Sequence, residues 1–270
     1  MTWGRRHACS ALACAAAWLA TGGSPVASSA QGSSTTRELR VLTFNIHHAE
    51  GTDGTLDVAR VARVITESRA DVVGLQEVDR GVERTGRRDL LKEIADLTGM
   101  RYAFGKNIDH QGGDYGNALL TTLPILSEGN KHLPTDSGGE QRGVLQVVLD
   151  VGGTRVLVLT THLDYRREGT QRVASAEALL GMLEAWEQGP AIVMGDFNDT
   201  PGSATHTRLL SAFSDVWSAV GRGDGFTIPV ESPNRRIDWI LVRGLEPVRA
   251  EVLHTNASDH LPVVATLRLR

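Results

Sequence analysis

Side chains that can bind a cation or move a proton recur in short clusters, each next to an apolar run. The clusters occupy residues 43–48, 74–79, 194–198 and 258–262, with related groups at 160–164 and 236–240. A single aspartate after a strand usually forms a turn. Several carboxylate, amide and imidazole groups at the ends of separate strands are more typical of a site, because open α/β sheets build their sites at strand ends. We therefore expect these clusters to converge.

The functional groups of the clusters are carboxylates, amides and imidazoles, and no cluster contains a thiol. This donor set suits a hard cation, so we expect Mg²⁺, with Mn²⁺ as the alternative. The sequence has no histidine pair at the spacing of zinc sites, no Gly-x-Ser-x-Gly elbow and no Walker loop. The pattern therefore favours chemistry assisted by a hard metal ion.

The elements that position these clusters alternate between strands and helices. Strands are predicted at residues 39–46, 72–75, 118–121, 143–151, 155–163, 191–194, 237–242, 248–253 and 261–269, and helices at 56–67, 90–98 and 170–186. Gly152 and Gly153 between two strands predict a hairpin turn. Because strands both alternate with helices and pair in hairpins, the pattern predicts a mixed sheet with helical layers.

In order along the chain, the clusters resemble the motifs of the endonuclease/exonuclease/phosphatase superfamily. The motifs are Asn45, Gln76-Glu77, Gly195-Asp196-Phe197-Asn198, Ile237-Asp238 and Ser258-Asp259-His260. Pancreatic-type DNases, abasic-site endonucleases, bacterial sphingomyelinases and inositol-phosphate 5-phosphatases belong to this superfamily. The resemblance implies one catalytic domain over residues 38–270, with a four-layer α/β/β/α sandwich of two mixed β-sheets flanked by helices. It also implies a metal-dependent phosphoester hydrolase in which water attacks phosphorus.

The resemblance further implies a role for each core residue. Glu77 is implied to be the principal Mg²⁺ ligand, supported by Asn45 and Asp259. His260 is implied to activate or orient the attacking water, and Asp238 to hold its imidazole in the right tautomer.

Three more residues complete the implied catalytic set. Asp196 and Asn198 are expected to position the water and the phosphate oxygens, and His162 to bind the phosphate or to help the leaving oxygen depart. These residue types suit the reaction because metal and imidazole offset phosphate charge, and an Asn amide donates to the developing oxyanion.

Further residues are candidates for substrate contacts on weaker grounds. They are Tyr115, Asn117, Arg142, His47 and His48. Each also has a structural interpretation, as a turn former, a surface residue or a core residue. The arginines between residues 80 and 88 are interpreted as a solvated basic face, with a substrate-gripping loop as the alternative.

The composition allows several substrates. Hydrophobic residues are 41% and charged residues 22%, which excludes a mostly disordered chain and a polytopic membrane protein. Residues 31–270 carry 26 basic and 32 acidic side chains, so tight binding of nucleic acid through charge alone is not expected. The substrate stays open between nucleic acid and a phospholipid or small phosphodiester. A non-catalytic binding module is the alternative function. We expect a monomer. We expect no stable membrane insertion, since an aromatic membrane-inserting hairpin is not evident.

The first thirty residues are typical of a secretory signal peptide. Arg5 and Arg6 precede an apolar run at residues 8–20, and Ser28-Ser29-Ala30 ends the segment. We predict cleavage after Ala30, a linker at residues 31–37 and a secreted or periplasmic protein. Both cysteines lie inside this segment, and the sequence before the second one only faintly resembles a lipoprotein box, so neither a disulfide nor lipidation is expected.

Overall fold

The computed structural model describes residues 37–187 and 189–269. The predicted signal peptide, and the predicted linker except for its last residue, lie outside the described residues. So do both cysteines. Apart from Arg37, the described residues therefore belong to the predicted catalytic domain.

Within the described residues, twelve strands, five α-helices and two short 3-10 helices form the domain. The strands are β1 Arg37–Asn45, β2 Val72–Arg80, β3 Arg101–His110, β4 Gly113–Thr121, β5 Ile125–His132, β6 Gly143–Val151, β7 Thr154–His162, β8 Ala191–Asp196, β9 Ser214–Asp215, β10 Asp238–Arg243, β11 Leu245–Val252 and β12 Val263–Leu269. The helices are α1 Val58–Ser68, α2 Leu90–Thr98, α3 Thr170–Ala185, α4 Ala204–Leu209 and α5 Val216–Val220.

The strands form two six-stranded mixed sheets. The first has the order β11-β12-β1-β2-β4-β3 and the second has the order β5-β6-β7-β8-β10-β9. The pairs β1–β2 and β7–β8 are parallel and their other neighbours are antiparallel. The hairpin predicted at Gly152 and Gly153 is confirmed, because β6 and β7 pair antiparallel across it.

Three apolar clusters show how the layers stack. Between the sheets, Val41 of the first packs with Val158 of the second. On the outer face of the first sheet, Ile65 of α1 belongs to a separate cluster with strand residues. On the outer face of the second sheet, Leu179 of α3 packs with Val193 of β8. Alternate strand residues thus supply two apolar faces per sheet, and the predicted α/β/β/α order is confirmed.

Three strands were not predicted, and each lies at the edge of a sheet. β3 closes one edge of the first sheet, and β5 and β9 close the two edges of the second. β3 and β5 carry lysines and other polar residues, and much of β5 is exposed. Charged edge strands resist pairing with other chains, but the same residues hide the alternation that marks a strand in sequence. The short helices α4 and α5 were also missed.

Two antiparallel pairings explain where the polar clusters lie. β10 runs against β8, with Asp238 opposite Asp196, and β12 runs against β1. The beginning of β10 and the approach to β12 therefore share an edge with the ends of β1 and β8. The expectation that the cluster at residues 74–79 ends a strand is wrong, because Glu77 lies inside β2. Asp238 begins β10, in agreement with the strand predicted at residues 237–242.

None of the helices in the described residues is long and apolar enough to cross a membrane.

Candidate active site

Asn45 joins the two sheets at this edge. It is the last residue of β1 and is fully buried. Its Nδ2 donates hydrogen bonds to Oε1 of Glu77 and to Oδ2 of Asp196, each at 3.1 Å, and its Oδ1 accepts one from the backbone nitrogen of His47. Because Glu77 comes from the first sheet and Asp196 from the second, one amide holds two carboxylates in place.

Glu77 lies where the β2–β4 pairing shifts, between Leu75 and Val78. Its backbone is left-handed, with φ at 59°, and such an irregularity re-aims a side chain. Two residues later, the buried Asp79 accepts hydrogen bonds from Arg84 at 2.7 and 2.9 Å. Among the described residues, Glu77 has no arginine or lysine as an ion-pair partner. It is therefore a half-buried carboxylate with no basic counter-ion.

Asp238, His260 and Asp196 form a connected unit. Oδ2 of Asp238 accepts hydrogen bonds from Nδ1 of His260 at 2.9 Å and from Oγ1 of Thr227 at 2.5 Å. Because Nδ1 donates to Asp238, Nε2 is the ring nitrogen of His260 that faces the site, and it lies 3.7 Å from Oδ2 of Asp196. The hydrogen bonds thus direct Nδ1 of His260 to Asp238 and leave Nε2 facing the site.

Burial and charge shift both titrating groups of this unit. Burial raises the pKa of the Asp196 carboxyl to about 7; the charge of His260 opposes this rise and that of Asp238 adds to it. Burial alone would lower the pKa of His260, but the carboxylates of Asp238 and Asp196 raise it to about 10. The unit therefore holds more protons near neutral pH than its members would in water.

His162 faces the same unit from the end of β7. Nδ2 of Asn198 donates a hydrogen bond to Nε2 of His162 at 2.9 Å and another to the carbonyl of Leu163. This network assigns the hydrogen of the neutral ring to Nδ1. Nδ1 is buried without a hydrogen-bond partner in the described part of the chain and lies 4.0 Å from Oε1 of Glu77. The ring thus presents an unused donor to the site.

Burial lowers the pKa of His162 well below its usual value, and the positive charges of Arg142 and His260 lower it further. Its neighbour Asn198 has a left-handed backbone, with φ at 49°, and its backbone nitrogen donates to Oδ1 of Asp196 at 2.9 Å. The turn after β8 therefore fixes both the amide and the carboxylate. A neutral His162 can donate one hydrogen bond from Nδ1 without carrying charge itself.

Ser258 anchors the segment that carries His260. Its Oγ donates to the backbone oxygen of Asn45 at 2.7 Å and accepts from the backbone nitrogen of His260 at 3.2 Å. Asp259 is exposed and belongs to neither group of His and acidic residues whose ligand atoms approach within 4.8 Å in the described range. The structure thus brings Asn45 and Glu77 together and leaves Asp259 at the rim.

Arg142 is buried beside the site. Its Nη1 lies 2.9 Å from Oε1 of Glu140, and its guanidinium lies over the ring of Tyr165 at 5.8 Å. Its Nε is buried without a hydrogen-bond partner among the described residues. Arg142 therefore offers one N–H without a hydrogen-bond partner, and its charge acts on His162.

Tyr115 and Asn117 lie on β4 and are both buried. Burial raises the pKa of the Tyr115 hydroxyl well above its usual value, and the charge of Glu77 adds to the rise. Nδ2 of Asn117 donates to the carbonyl of Gly143 at 3.0 Å, while its Oδ1 is buried with no partner in the described chain. Asn117 thus supports the strand from which Arg142 enters the site.

His47 and His48 form a left-handed turn directly after β1, with φ at 44° and 43°. Their rings meet edge to face with centroids 4.4 Å apart. One potential ligand atom of each histidine and one of Glu77 lie within 4.8 Å of one another. The structure therefore brings both histidines to the rim of the site.

The basic segment after Glu77 is fully paired. Its ion pairs are Arg80–Asp89, Arg84–Asp79, Arg87–Glu83 and Arg88–Glu93. Because each guanidinium already forms an ion pair with a carboxylate, the structure favours a solvated basic face over a loop that binds the substrate.

Thr227 was missed in the sequence. It is fully buried, its hydroxyl donates to Asp238, and its carbonyl accepts from the backbone nitrogen of Leu261 at 2.8 Å. A lone threonine in a loop gives no spacing signal, and only the folded loop brings it to the carboxylate. Its position indicates that Thr227 orients the carboxylate of Asp238.

Comparison with known proteins adds evidence to this geometry. The sequence model of the "Endonuclease/Exonuclease/phosphatase family" matches residues 42–260. The chain belongs to this family. The matched region runs from β1 through His260 and so contains every residue of the site described above.

Relatives of the family cover most of the chain. YbhP of Escherichia coli (strain K12) is 28% identical over 250 residues, which are 85% of this chain and 96% of that protein. A crystal structure of an endonuclease/exonuclease/phosphatase from Beutenbergia cavernae has a TM-score of 0.70 and 26% identity, covering 86% of this chain and 72% of that one. The mannosyl-6-phosphatase Bt3783 of Bacteroides thetaiotaomicron, with a TM-score of 0.72 and 20% identity over 85% of this chain and 99% of that one, shares the fold.

The residues present fit the divalent metal ion that family members commonly use. Glu77 offers a carboxylate without a basic counter-ion, Asn45 an amide, and Asp259 an exposed carboxylate on the adjoining segment. Oxygen donors of this kind are the ligands that Mg²⁺ prefers. The unbalanced negative charge at Glu77 is what a bound cation would offset.

Proposed function

We propose that the protein is a Mg²⁺-dependent phosphoester hydrolase in which water attacks phosphorus directly. Family membership supports the phosphoester class. The observation that carries the proposal is the Asp238–His260 hydrogen bond, whose free imidazole nitrogen faces Asp196 beside the unpaired carboxylate of Glu77. A structural core would neutralise these acids, whereas a site for a phosphoester and a cation leaves them available.

Glu77 and Asn45, with Asp259 from the rim, are the residues that would hold the metal. Mg²⁺ bound there offsets phosphate charge and polarises the phosphoryl oxygen. Asn45 also keeps Glu77 and Asp196 at fixed separation through its Nδ2. The amide therefore couples the metal ligand to the group that positions the water.

Asp196 and His260 would hold the attacking water. Oδ2 of Asp196 and Nε2 of His260 lie 3.7 Å apart and both face the site. As the water attacks, its proton passes to the carboxylate of Asp196, whose pKa is raised to about 7, while the charged His260, held by its 2.9 Å hydrogen bond to Asp238, orients the water from Nε2. Asp238 thus supports the reaction without contacting the phosphate.

His162, Asn198 and Arg142 would bind the phosphoester. Nδ1 of His162 and Nε of Arg142 are buried donors without hydrogen-bond partners in the described chain, and a phosphate oxygen satisfies such groups well. The neutral His162 is also placed to donate a hydrogen bond from Nδ1 to the leaving oxygen, which offsets the negative charge that develops there. Tyr115 and Asn117 are proposed to line the substrate side, with His47 and His48 at the rim.

The first test is hydrolysis of bis(p-nitrophenyl) phosphate with Mg²⁺ and with EDTA. We expect turnover only with Mg²⁺, and its loss in Glu77→Gln with an unchanged melting temperature. Glu83→Gln, which alters an exposed acid of the next segment, is the matched control and should keep wild-type turnover. Phosphate binding without any turnover would favour the non-catalytic binding module instead.

A substrate panel would then separate nucleic acid from lipid and small esters. Plasmid DNA, RNA, sphingomyelin, phosphatidylinositol and phosphomonoesters cover these classes. The acidic balance of residues 31–270 disfavours tight binding of nucleic acid through charge alone. Sedimentation velocity of the same sample tests the proposed monomer.

We also propose export with removal of the first thirty residues. The support is the basic start, the apolar run and the small-residue exit of that segment. Mass spectrometry of the extracellular or periplasmic protein should show an N-terminus at Gln31. A cytosolic protein that begins at Met1 would contradict this.

A further inference from the structure

A histidine pair and a carboxylate meet at the rim of the site without a structural explanation. His47 and His48 come from the turn after β1, and Glu77 comes from the irregular part of β2. One potential ligand atom of each lies within 4.8 Å of the others. Two imidazoles and one carboxylate on two separate segments form a donor set that differs from the oxygen ligands proposed for Mg²⁺.

Both rings are oriented by the same residue. Nδ1 of His47 lies 3.4 Å from the backbone oxygen of Glu50, and Nε2 of His48 lies 3.5 Å from Oε2 of the same residue. Metal-binding histidines typically donate one ring N–H to a carbonyl or carboxylate, which leaves the other nitrogen free for the metal. Glu50 supplies one partner of each kind.

The remaining nitrogens are unused. Nδ1 of His48 is buried and has no hydrogen-bond partner among the described residues, although the residue is only 7% exposed. With its Nδ1 directed to Glu50, His47 has Nε2 as its available nitrogen. A buried ring nitrogen without a partner is unfavourable unless something binds it, and a cation ligated by both histidines removes that cost.

We propose that His47, His48 and Glu77 bind a borderline divalent cation such as Zn²⁺. Imidazole favours Zn²⁺ and similar ions over Mg²⁺, which prefers oxygen. Glu77 has two carboxylate oxygens and is shared with the proposed Mg²⁺ site. The proposal concerns metal binding and does not depend on the proposed reaction.

The second cluster of this kind has a different explanation. Asp196, Asp238 and His260 also lie within 4.8 Å of one another, but His260 already donates to Asp238 at 2.9 Å. A direct hydrogen bond accounts for their closeness. His260 therefore serves as the comparison residue for the test.

The test is calorimetric titration of the chelator-treated protein with Zn²⁺ alone and with Mg²⁺ alone. We expect His47→Asn and His48→Asn each to weaken Zn²⁺ binding by more than about tenfold, with a smaller effect on Mg²⁺. Asn is chosen because it tolerates the left-handed backbone of this turn. The exposed His254, changed to Ala, is the matched control and should bind Zn²⁺ as the wild type does.

X-ray absorption of the Zn²⁺-loaded wild type provides a measurement that needs no variant. Scattering from two imidazoles is expected. An all-oxygen shell, or Zn²⁺ binding that is lost in His260→Ala but kept in both His47→Asn and His48→Asn, would overturn the proposal. Mg²⁺-dependent hydrolysis that fails while Zn²⁺ binding keeps this histidine dependence would contradict only the proposed function.

Discussion

Two buried aspartates on neighbouring strands of the second sheet both contact a histidine, yet their surroundings differ. Asp215 of β9 accepts hydrogen bonds from both terminal nitrogens of Arg236, at 3.1 and 2.7 Å, from His206 at 3.1 Å and from Ser218 at 2.6 Å. Asp238 of β10 has no arginine as an ion-pair partner among the described residues. Its Oδ2 receives two hydrogen bonds, and its Oδ1 is buried without a partner in the described chain.

The difference separates a structural carboxylate from a functional one. Burial would raise the pKa of Asp215, but hydrogen bonds from His206, Arg236 and Ser218 hold it well below its usual value. That carboxylate stays ionised and fixed whatever approaches the surface. Asp238 transmits its charge to one imidazole only, so its effect is directed into the site. Arg236 and Asp238 are two residues apart, and the sequence alone does not distinguish their roles.

The largest expected effect is on turnover in His260→Ala. Loss of the imidazole removes the group that orients the attacking water beside Asp196, so turnover should fall by about 10²–10⁴ with little change in substrate binding. The matched variant His206→Ala should lower the melting temperature and keep turnover per folded molecule. Steady-state kinetics and thermal unfolding of both variants check this. Equal losses of turnover would remove the distinction between the two histidines.

Asp238→Asn should reduce turnover by less than His260→Ala, because it alters the orientation and charge of the imidazole rather than removing it. If the two residues act as one unit, the double variant should lose far less than the product of the single losses. The measurement is turnover at saturating Mg²⁺ for all three variants, with melting temperatures alongside. Multiplicative losses that follow the melting temperatures would indicate independent structural roles.

Asp215→Asn should act on stability and on its pH dependence. Removing one partner of a buried ion pair leaves Arg236 uncompensated, which costs about 3–5 kcal/mol of unfolding free energy. Because the pKa of Asp215 is lower in the folded state than its usual 3.8, its contribution is present above that value and is lost as the pH falls below it. Urea unfolding between pH 2 and 5 should therefore show a shallower acid decline in the variant. An unchanged decline would contradict the assignment.

The smallest effect is expected from Thr227. Thr227→Val removes the hydroxyl that donates to Asp238 and should lower turnover by roughly tenfold, without changing the Mg²⁺ requirement. Thr227→Ser keeps the hydroxyl and should restore most of the rate. A serine variant as slow as the valine variant would show that packing, rather than the hydrogen bond, matters at this position.

The fold was predictable where local pattern and burial agree. The apolar strands β6, β7 and β12 and the helices α2 and α3 follow from their hydrophobic spacing. β3 and β5 were not predictable in this way, because their polar residues reflect an edge position that only the sheet order defines. Likewise, Glu77 was expected at a strand end, whereas β2 continues past it through an irregularity.

The sequence by itself determined which carboxylate, amide and imidazole groups the site contains and in which order they occur, because each lies in a short motif beside an apolar strand. It did not indicate Thr227, which lies in a loop outside these motifs. The tertiary structure decided which of these groups are neutralised and which stay available. Asn45 of the first sheet donates a hydrogen bond to Asp196 of the second, and Arg236 donates to Asp215. One ring nitrogen each of His47 and His48 is directed at Glu50, which leaves the second nitrogen of each ring available. Such pairings join segments that are distant in the chain, and packing rather than local spacing sets their geometry.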